Sequence, residues 1–451
     1  MDFSPWTVLQ DIGIVSGLII IGQILRAKFK IFQKSLIPAP LIAGFLGLIL
    51  GPNIMGVLPL SAKMGTYASI LIVVVFAAMP IGQKVTKESL LNRNVGGMFF
   101  NVTGMLLLQY GLSTLLSLYV LGYFFNLHPG FGVILPVGFA NGHGTAAAVG
   151  STFAALGWAE ATDLGMTSAT MGIVGGIIFG VILINWGARK GYTSYVKDPK
   201  NLSSDLLTGL IPPDQQKTGG KITVSSICID PLTFHLSLIL VASTAGYMTS
   251  RFVQKMYPLI TLPDFAVAMI YGFLIQVILS KTKTDKYVDR YTISKISGCA
   301  TDLLVVCGVA SVKISAVMTY LVPLIVLFSF GYLLVILWFR FVAPWCSEKD
   351  WFERGMIAFG QALGVLATGI LLLRIVDPEL RSNAIEDSGT INLLNRPIVI
   401  GLQMFMPYLL CQGGIMPYIA GWVCMAGFFI LLVCAFVFKW IQRPTGLISR
   451  Q

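Results

Sequence analysis

Five consecutive residues in one apolar stretch combine backbone freedom with polar atoms that suit a small anion or a cation. They are Asn141-Gly142-His143-Gly144-Thr145, within GFGVILPVGFANGHGTAAAVGSTFAALG at 130–157. Glycine lets a backbone approach a ligand closely. A helix beginning here would present unpaired N–H groups, which suit a carboxylate. The alternatives are that the glycines only allow close helix packing and that His143 only hydrogen-bonds a neighbouring helix.

A second glycine-rich stretch, at 352–374, is poorer in polar groups. It reads FERGMIAFGQALGVLATGILLLR, and Gln361, Gly364 and Thr368 are its candidates for contact with a ligand or an ion. The alternative for each of them is a packing role. Arg374 could pair with a substrate carboxylate, although an Arg at a helix end more often extends its charge to the membrane interface.

Asp302 is a carboxylate within an apolar run. At membrane depth such a group is a functional candidate, because burying its charge there is costly. It could bind Na⁺, relay a proton or pair with a lysine, and the alternative is an interfacial position. Oxygen ligands suit Na⁺, so Asn141, Thr145 and Asp302 are the candidate Na⁺ ligands. Other amides in apolar runs are expected to hydrogen-bond between helices: Asn101, Gln109, Asn185, Gln276 and Gln403.

Membrane-spanning helices are the elements expected to position these residues. Of the 451 residues, 55% are hydrophobic and 11% are charged, where soluble domains usually carry about 25% charged residues. The apolar runs are long enough for helices that cross a bilayer and do not alternate as barrel strands do. The runs predict spans at 6–25, 41–58, 64–82, 95–121, 164–186, 232–252, 265–279, 296–312, 315–339, 397–411 and 416–438.

The distribution of basic residues predicts how the two glycine-rich stretches meet the bilayer. If each enters and leaves on one side, only Lys63, Arg251, Lys255 and Lys313 of the 31 Lys and Arg residues lie outside. If both stretches span instead, the basic residues divide almost evenly between the two sides. Because basic residues concentrate in cytoplasmic loops, we expect two re-entrant hairpins that enter from opposite sides.

The fold class predicted from this pattern is an all-α polytopic membrane protein. Two inverted repeats of five transmembrane helices each contain one re-entrant helical hairpin, and an extra C-terminal helix follows. The first repeat is expected at 1–186 and a hydrophilic cytoplasmic linker at 187–230. The second repeat is expected at 231–412, and the extra span with its basic tail at 413–451.

This pattern is typical of a secondary transporter rather than an enzyme. The sequence contains no G-x-x-x-x-G-K-[ST] motif for ATP and no H-E-x-x-H motif for zinc. Its net charge of +11 lies largely in short loops beside apolar runs, which indicates membrane topology rather than a nucleic-acid partner. The alternatives are a channel or facilitative pore, an intramembrane enzyme using Asp302 or His143, and a sensor of transporter ancestry.

Several segments resemble the bacterial glutamate:sodium symporter family. FANGHGTAA at 139–147, followed by TSATMGIVGGIIFG at 167–180, resembles its first hairpin region. IPAP at 37–40 and LPDF at 262–265 resemble the elements that open span 2 and its counterpart in the second half, and 364–368 loosely resembles the second hairpin. The resemblance covers most of the chain in order, although only the first hairpin is specific.

The resemblance implies Na⁺-coupled uptake of glutamate, or of a similar small carboxylate, through an elevator-like movement. It also implies a homodimer in the lipid bilayer of the bacterial inner membrane, with Na⁺ as coupling ion, no organic cofactor and no nucleic-acid partner. Asn141, Leu366 and Gly369 stand where the family pattern has Gly, Gly and Pro. The alternative functions are therefore a proton-coupled or facilitative carrier of another organic anion, and a transporter-derived sensor.

Overall fold

The computed structural model describes residues 4–82, 93–195, 207–213, 216, 220–256, 262–347, 349–378, 381–382 and 384–441. Within these ranges all regular structure is helical. The helices that position the site are α1 (Pro5–Lys28), α2 (Ala39–Leu50), α3 (Met64–Ala78), α4 (Arg93–Leu116), α5 (Ile134–Phe139), α6 (Gly142–Ala155), α7 (Ala161–Arg189), α8 (Pro231–Met256), α9 (Asp264–Lys281), α10 (Arg290–Ala310), α11 (Leu321–Phe341), α12 (Trp351–Val376), α13 (Ala384–Cys411) and α14 (Met416–Val437).

The apolar character of these helices confirms an all-helical polytopic membrane protein. Within the described ranges, nine helices are long and apolar enough to cross a bilayer. Helices α2 and α3 are shorter apolar helices. Helix α13 is long, but its first half carries polar residues, and this half contributes to the site.

The two largest errors in the predicted span boundaries are at the end of α2 and the start of α13. Helix α2 ends at Leu50 rather than at residue 58, because Gly51 is extended (ψ −179°) and precedes Pro52, which disfavours a helical residue before it. Helix α13 begins at Ala384 rather than at 397, and Pro397 lies inside it. The polar residues before Pro397 predict a loop, but polar side chains are tolerated in a membrane helix that faces a protein cavity.

The helices form two groups that differ in their packing partners. The α3/α10 group contains α1, α2, α3, α8, α9 and α10, in which α3 packs against α10 and α9, and α2 packs against α10. The α4/α7 group contains α4 to α7 and α11 to α14, in which α6 and α12 pack against α7, and α14 packs against α4. The two groups meet chiefly where α6 contacts α3 and α10.

The first glycine-rich stretch folds back on itself within the α4/α7 group. It consists of a short 3₁₀ turn, α5 and α6. The rings of His128 and Trp158 stack with centroids 4.3 Å apart, so the residues before and after the stretch lie side by side. A side chain on Gly130 would lie 2.7 Å from the ring of Phe153, which shows how closely the two arms approach.

The second glycine-rich stretch forms α12, which turns sharply at Gly364 and Val365. Val365 has φ +69°, which is unusual for a β-branched residue. The arms on either side of this turn touch, because a Cβ on Gly360 would lie 2.5 Å from the Cα of Gly369. At the base of the first arm, Arg354 forms an ion pair with Asp387 beyond the second arm.

Asp387→Ala is expected to destabilise the protein by about 3–5 kcal/mol, because it leaves the buried guanidinium of Arg354 without its anion. The side chains of Arg354 and Asp387 are only 7% and 14% exposed. Asp264→Ala is the control, since it breaks an exposed pair with Arg251 and is expected to cost at most about 1 kcal/mol. Thermal unfolding in detergent measures both. Equally small decreases in melting temperature for the two variants would contradict a stabilising role for the buried pair.

Candidate functional site

A cavity of about 490 Å³ faces the α3/α10 group. Its other side is formed by the turn between α5 and α6 in the first glycine-rich stretch and by the turn at Gly364 and Val365 in the second. This volume falls in the range typical of small-molecule sites. No Asp or Glu side chain is among its described lining residues. Its polar lining residues are Gln109, Asn141, His143, Thr145, Arg290, Thr301, Gln361, Asn392, Asn395 and Arg396.

The first turn of α6 contributes backbone N–H groups to this cavity. Helix α5 ends at Phe139, and Asn141 Nδ2 donates 3.1 Å to the Pro136 carbonyl, which also accepts from the Ala140 amide at 3.2 Å. Helix α6 begins at Gly142, and Gly142 to Thr145 all line the cavity. The N–H groups of a first helical turn have no acceptor within the helix and carry partial positive charge. This end of the cavity therefore suits an anion.

His143 both lines the cavity and contacts α7. Its side chain is only 3% exposed, and Nε2 lies 2.9 Å from Thr170 Oγ1. Because the Thr170 hydroxyl donates to the Met166 carbonyl at 3.0 Å, its oxygen accepts from His143 Nε2–H. That tautomer leaves His143 Nδ1 as an acceptor.

The turn of the second stretch touches the turn of the first. A Cβ on Gly142 would lie 2.5 Å from Val365 Cγ1, and Val365 lines the cavity together with Gln361. Gly364 and Thr368 are not among the lining residues. Thr368 Oγ1 donates 2.5 Å to the Gly364 carbonyl, so these two residues shape the turn.

The structure does not bring Asp302 to the cavity that Asn141 and Thr145 line. Asp302 is exposed, whereas its neighbour Thr301 lines the cavity. Arg374 is also exposed and outside the lining. The Na⁺ ligand set expected from the sequence is therefore not assembled in one place.

Asp11 is a buried acid that sequence reasoning missed. It is 0% exposed and lies in α1. It accepts hydrogen bonds from the Ser61 amide at 3.0 Å, the Ser61 hydroxyl at 2.5 Å and the Tyr67 hydroxyl at 2.8 Å. Three donors satisfy this carboxylate, so its role is to hold α1 against the start of α3.

Most of the amides in apolar runs do form hydrogen bonds between elements. Gln109 Nε2 donates to the Ala362 carbonyl at 3.0 Å, and Asn101 Oδ1 accepts from Trp338 at 2.7 Å. Gln403 Nε2 donates to Thr145 Oγ1 at 3.4 Å. Gln109 also lines the cavity, so it belongs to the candidate site. The sequence pattern does not distinguish it from the amides that only hydrogen-bond between helices.

Sequence reasoning also misses two arginines in the cavity, because both lie outside the predicted spans. Arg290 opens α10, and its Nη1 donates to the Ala78 carbonyl at 3.1 Å and the Ile81 carbonyl at 2.7 Å. Arg396 lies in the middle of α13, is half-buried, and has no hydrogen-bond acceptor among the residues that the structure describes. A helical spacing of the polar residues before Pro397 is the signal that could have revealed it.

A comparison with protein families found a match that covers most of the chain. The sodium/glutamate symporter model matches residues 6–373, which include both glycine-rich turns and end before α13. A search of curated proteins found no match. The family consists of transporters rather than enzymes and uses Na⁺ as coupling ion. The chain therefore belongs to the sodium/glutamate symporter family and is a multi-pass, sodium-coupled membrane transporter.

Proposed function

We propose that this transporter carries glutamate or a related small dicarboxylate into the cell together with Na⁺. One observation carries the proposal: two arginines and the N-terminal turn of α6 line a single cavity whose described lining residues include no acid. Such a cavity is positively charged until an anion enters it. The substrate class follows from that charge and from the family.

Arg396 is the lining residue whose charge a bound substrate carboxylate would stabilise most. An arginine at membrane depth is costly unless it is paired or hydrated, and Arg396 has no acceptor among the described residues. A carboxylate can accept two parallel hydrogen bonds from a guanidinium. Arg290 already donates to two backbone carbonyls through Nη1, which leaves its other donors for a second carboxylate.

The two turns provide further donors that support an anionic substrate. Residues Val365, Leu366 and Ala367 begin the second arm of α12 and line the cavity opposite the first turn of α6. The second arm of each glycine-rich stretch therefore starts at the cavity, where its first N–H groups lack intrahelical acceptors. A substrate held between both turns would contact both glycine-rich stretches at once.

An elevator-like movement fits the division into two helix groups. In this proposal the α4/α7 group carries the cavity across the membrane while the α3/α10 group stays in place. The facing side chains of α3 and α10 at the cavity are largely apolar, with Ile72, Val75, Phe76 and Leu304 among them. Apolar contacts have no directional bonds to break, so the core can slide over them once Arg290 of α10 releases the second carboxylate.

The packing pattern also supports two inverted repeats, 1–186 and 231–412, joined by the linker 187–230. Helix α1 packs on α2 as α8 packs on α9, and α2 packs on α10 as α9 packs on α3. The adjacent ends of each glycine-rich stretch support re-entrant hairpins, because each stretch then enters and leaves on one side. The segment 413–451 adds a further span outside this symmetry.

The proposal includes a homodimer in the inner membrane of a bacterial cell, with no organic cofactor. These features come from the family resemblance. Exposed apolar side chains on α8 and α14, such as Phe252 and Phe429, provide surface for lipid and for a second copy.

Uptake of labelled glutamate into proteoliposomes tests the proposal. We expect accumulation with an inward Na⁺ gradient and none when choline replaces Na⁺. Unlabelled glutarate and aspartate, which carry two carboxylates, should compete better than a monocarboxylate of similar size. Uptake that follows a proton gradient without Na⁺, or no uptake of any small carboxylate, would overturn it.

A further inference from the structure

Three buried amide oxygens of the cavity have no hydrogen-bond donor among the residues that the structure describes. They are Gln109 Oε1 on α4, Gln361 Oε1 on α12 and Asn395 Oδ1 on α13. Gln109 is 0% exposed and Asn395 is 3% exposed. Each unsatisfied buried acceptor costs about 1–3 kcal/mol, so three acceptors along one cavity indicate a ligand that supplies positive charge.

The amide nitrogens of both glutamines are already engaged, which orients the two glutamine oxygens. Gln109 Nε2 donates to the Ala362 carbonyl at 3.0 Å, and Gln361 Nε2 donates to Asn392 Oδ1 at 2.9 Å. Asn392 Nδ2 in turn donates to the Ser388 carbonyl at 2.8 Å. The network links α4, α12 and α13 and leaves both glutamine oxygens without a donor among the described residues.

We propose that Gln109, Gln361 and Asn395 form a subsite for a small hard cation, either the coupling Na⁺ or the ammonium group of the substrate. Neutral amide oxygens suit such a cation. This inference rests on the proposed function and replaces the ligand set Asn141, Thr145 and Asp302. Asn395 lies beyond the residues that the family model matches.

The subsite would also couple the ion to the substrate. Arg290 and Arg396 line the same cavity and repel a cation while they are unpaired. A bound dicarboxylate neutralises them, so the cation binds more tightly when the substrate is present. Because linkage is reciprocal, the cation strengthens substrate binding by the same factor.

Asn395→Leu and Gln361→Leu remove two of these oxygens, and Asn185→Leu is the matched control. Asn185 is also an amide in a membrane helix, but its Nδ2 donates to Val181 in the same helix and it does not line the cavity. Two measurements are made on purified protein in choline buffer. The first is thermal stabilisation by Na⁺ alone, and the second is Na⁺-dependent binding of glutamate and of glutarate, which lacks the ammonium.

A Na⁺ subsite predicts that both variants lose Na⁺ stabilisation and need about tenfold more Na⁺ to bind either ligand. An ammonium subsite predicts unchanged Na⁺ dependence, with glutamate but not glutarate bound about tenfold more weakly. Either result supports the subsite. If the folded variants keep the wild-type Na⁺ stabilisation and the wild-type affinities for glutamate and glutarate, the subsite is overturned.

Asn395→Asp is the second variant, and it keeps the size and one oxygen of the native side chain. Its added negative charge should strengthen cation binding, so an unchanged affinity for Na⁺ and for glutamate would again overturn the subsite. Failure of the proposed function would appear differently. The wild-type protein would then show neither Na⁺-dependent uptake nor Na⁺ stabilisation. That result would overturn both the proposed function and the subsite.

Discussion

Arg396→Gln is expected to reduce Na⁺-driven glutamate uptake by about a hundredfold or more, because removing one partner of a buried charge pair costs 2–5 kcal/mol. Arg396 projects from α13 into the cavity and has no acceptor among the described residues. No described residue therefore competes with a substrate carboxylate for its guanidinium. The measurement is initial uptake in proteoliposomes over a range of glutamate concentrations, in which the loss should appear first as a higher half-saturating concentration.

Two further variants separate charge from geometry at this position. Arg396→Lys keeps the charge but loses the paired donors of a guanidinium, so its uptake should fall between the wild type and Arg396→Gln. Arg340→Gln is the matched control, because Arg340 lies over the ring of Trp186, 5.1 Å from its centroid and away from the cavity. Normal uptake by well-folded Arg396→Gln would contradict the assignment of Arg396 to the substrate.

Arg396 shows why part of the site could not be predicted from hydropathy. A span was recognised by its apolar run, and the run that ends α13 begins at Pro397. The residues before it are polar because they face the cavity rather than lipid, so hydropathy predicts an inside loop for them. Hydropathy places Arg290 in a loop for the same reason. Both arginines therefore count as loop charges in the predicted topology, although they line the site.

The two glycine-rich stretches could be predicted because their signal is local. Glycine is unfavourable in a helix interior, so clusters of glycine in apolar runs indicate breaks irrespective of the surrounding fold. Asn141 to Thr145 and Gln361 line the cavity, and their contact with substrate or ion stays a prediction. The sequence could not predict which neighbouring turn residues face the cavity, since Gly364 and Thr368 shape the turn while Val365 faces inward.

The two acids show a further limit of sequence reasoning. Asp302 and Asp11 both lie in apolar helices, but Asp302 is exposed and Asp11 is fully buried. Which face of a helix meets protein depends on tertiary packing, which a single apolar run does not encode. The donors that satisfy Asp11 come from residues 61 and 67, beyond the next helix along the chain.

The contact between the two turns predicts a large loss of uptake when Gly142 is replaced. Gly142→Val is expected to abolish uptake, because Gly142 has φ +74° and its added Cβ would lie 2.5 Å from Val365 Cγ1. Gly142→Ala meets the same clash with a smaller side chain, and the left-handed conformation alone costs an alanine about 1–2 kcal/mol. Uptake should therefore fall roughly tenfold or more in Gly142→Ala.

Val365→Gly in the Gly142→Ala background separates the clash from the backbone strain. It removes the Cγ1 atom that the new Cβ meets and also suits φ +69° at position 365. Uptake by the double variant should recover part of the loss, since only the strain at position 142 remains. Gly389→Ala is the matched control, because Gly389 lines the same cavity and its Cβ would meet nothing within 4 Å. No recovery in the double variant, or equal losses at positions 142 and 389, would mean that contact between the turns does not limit transport.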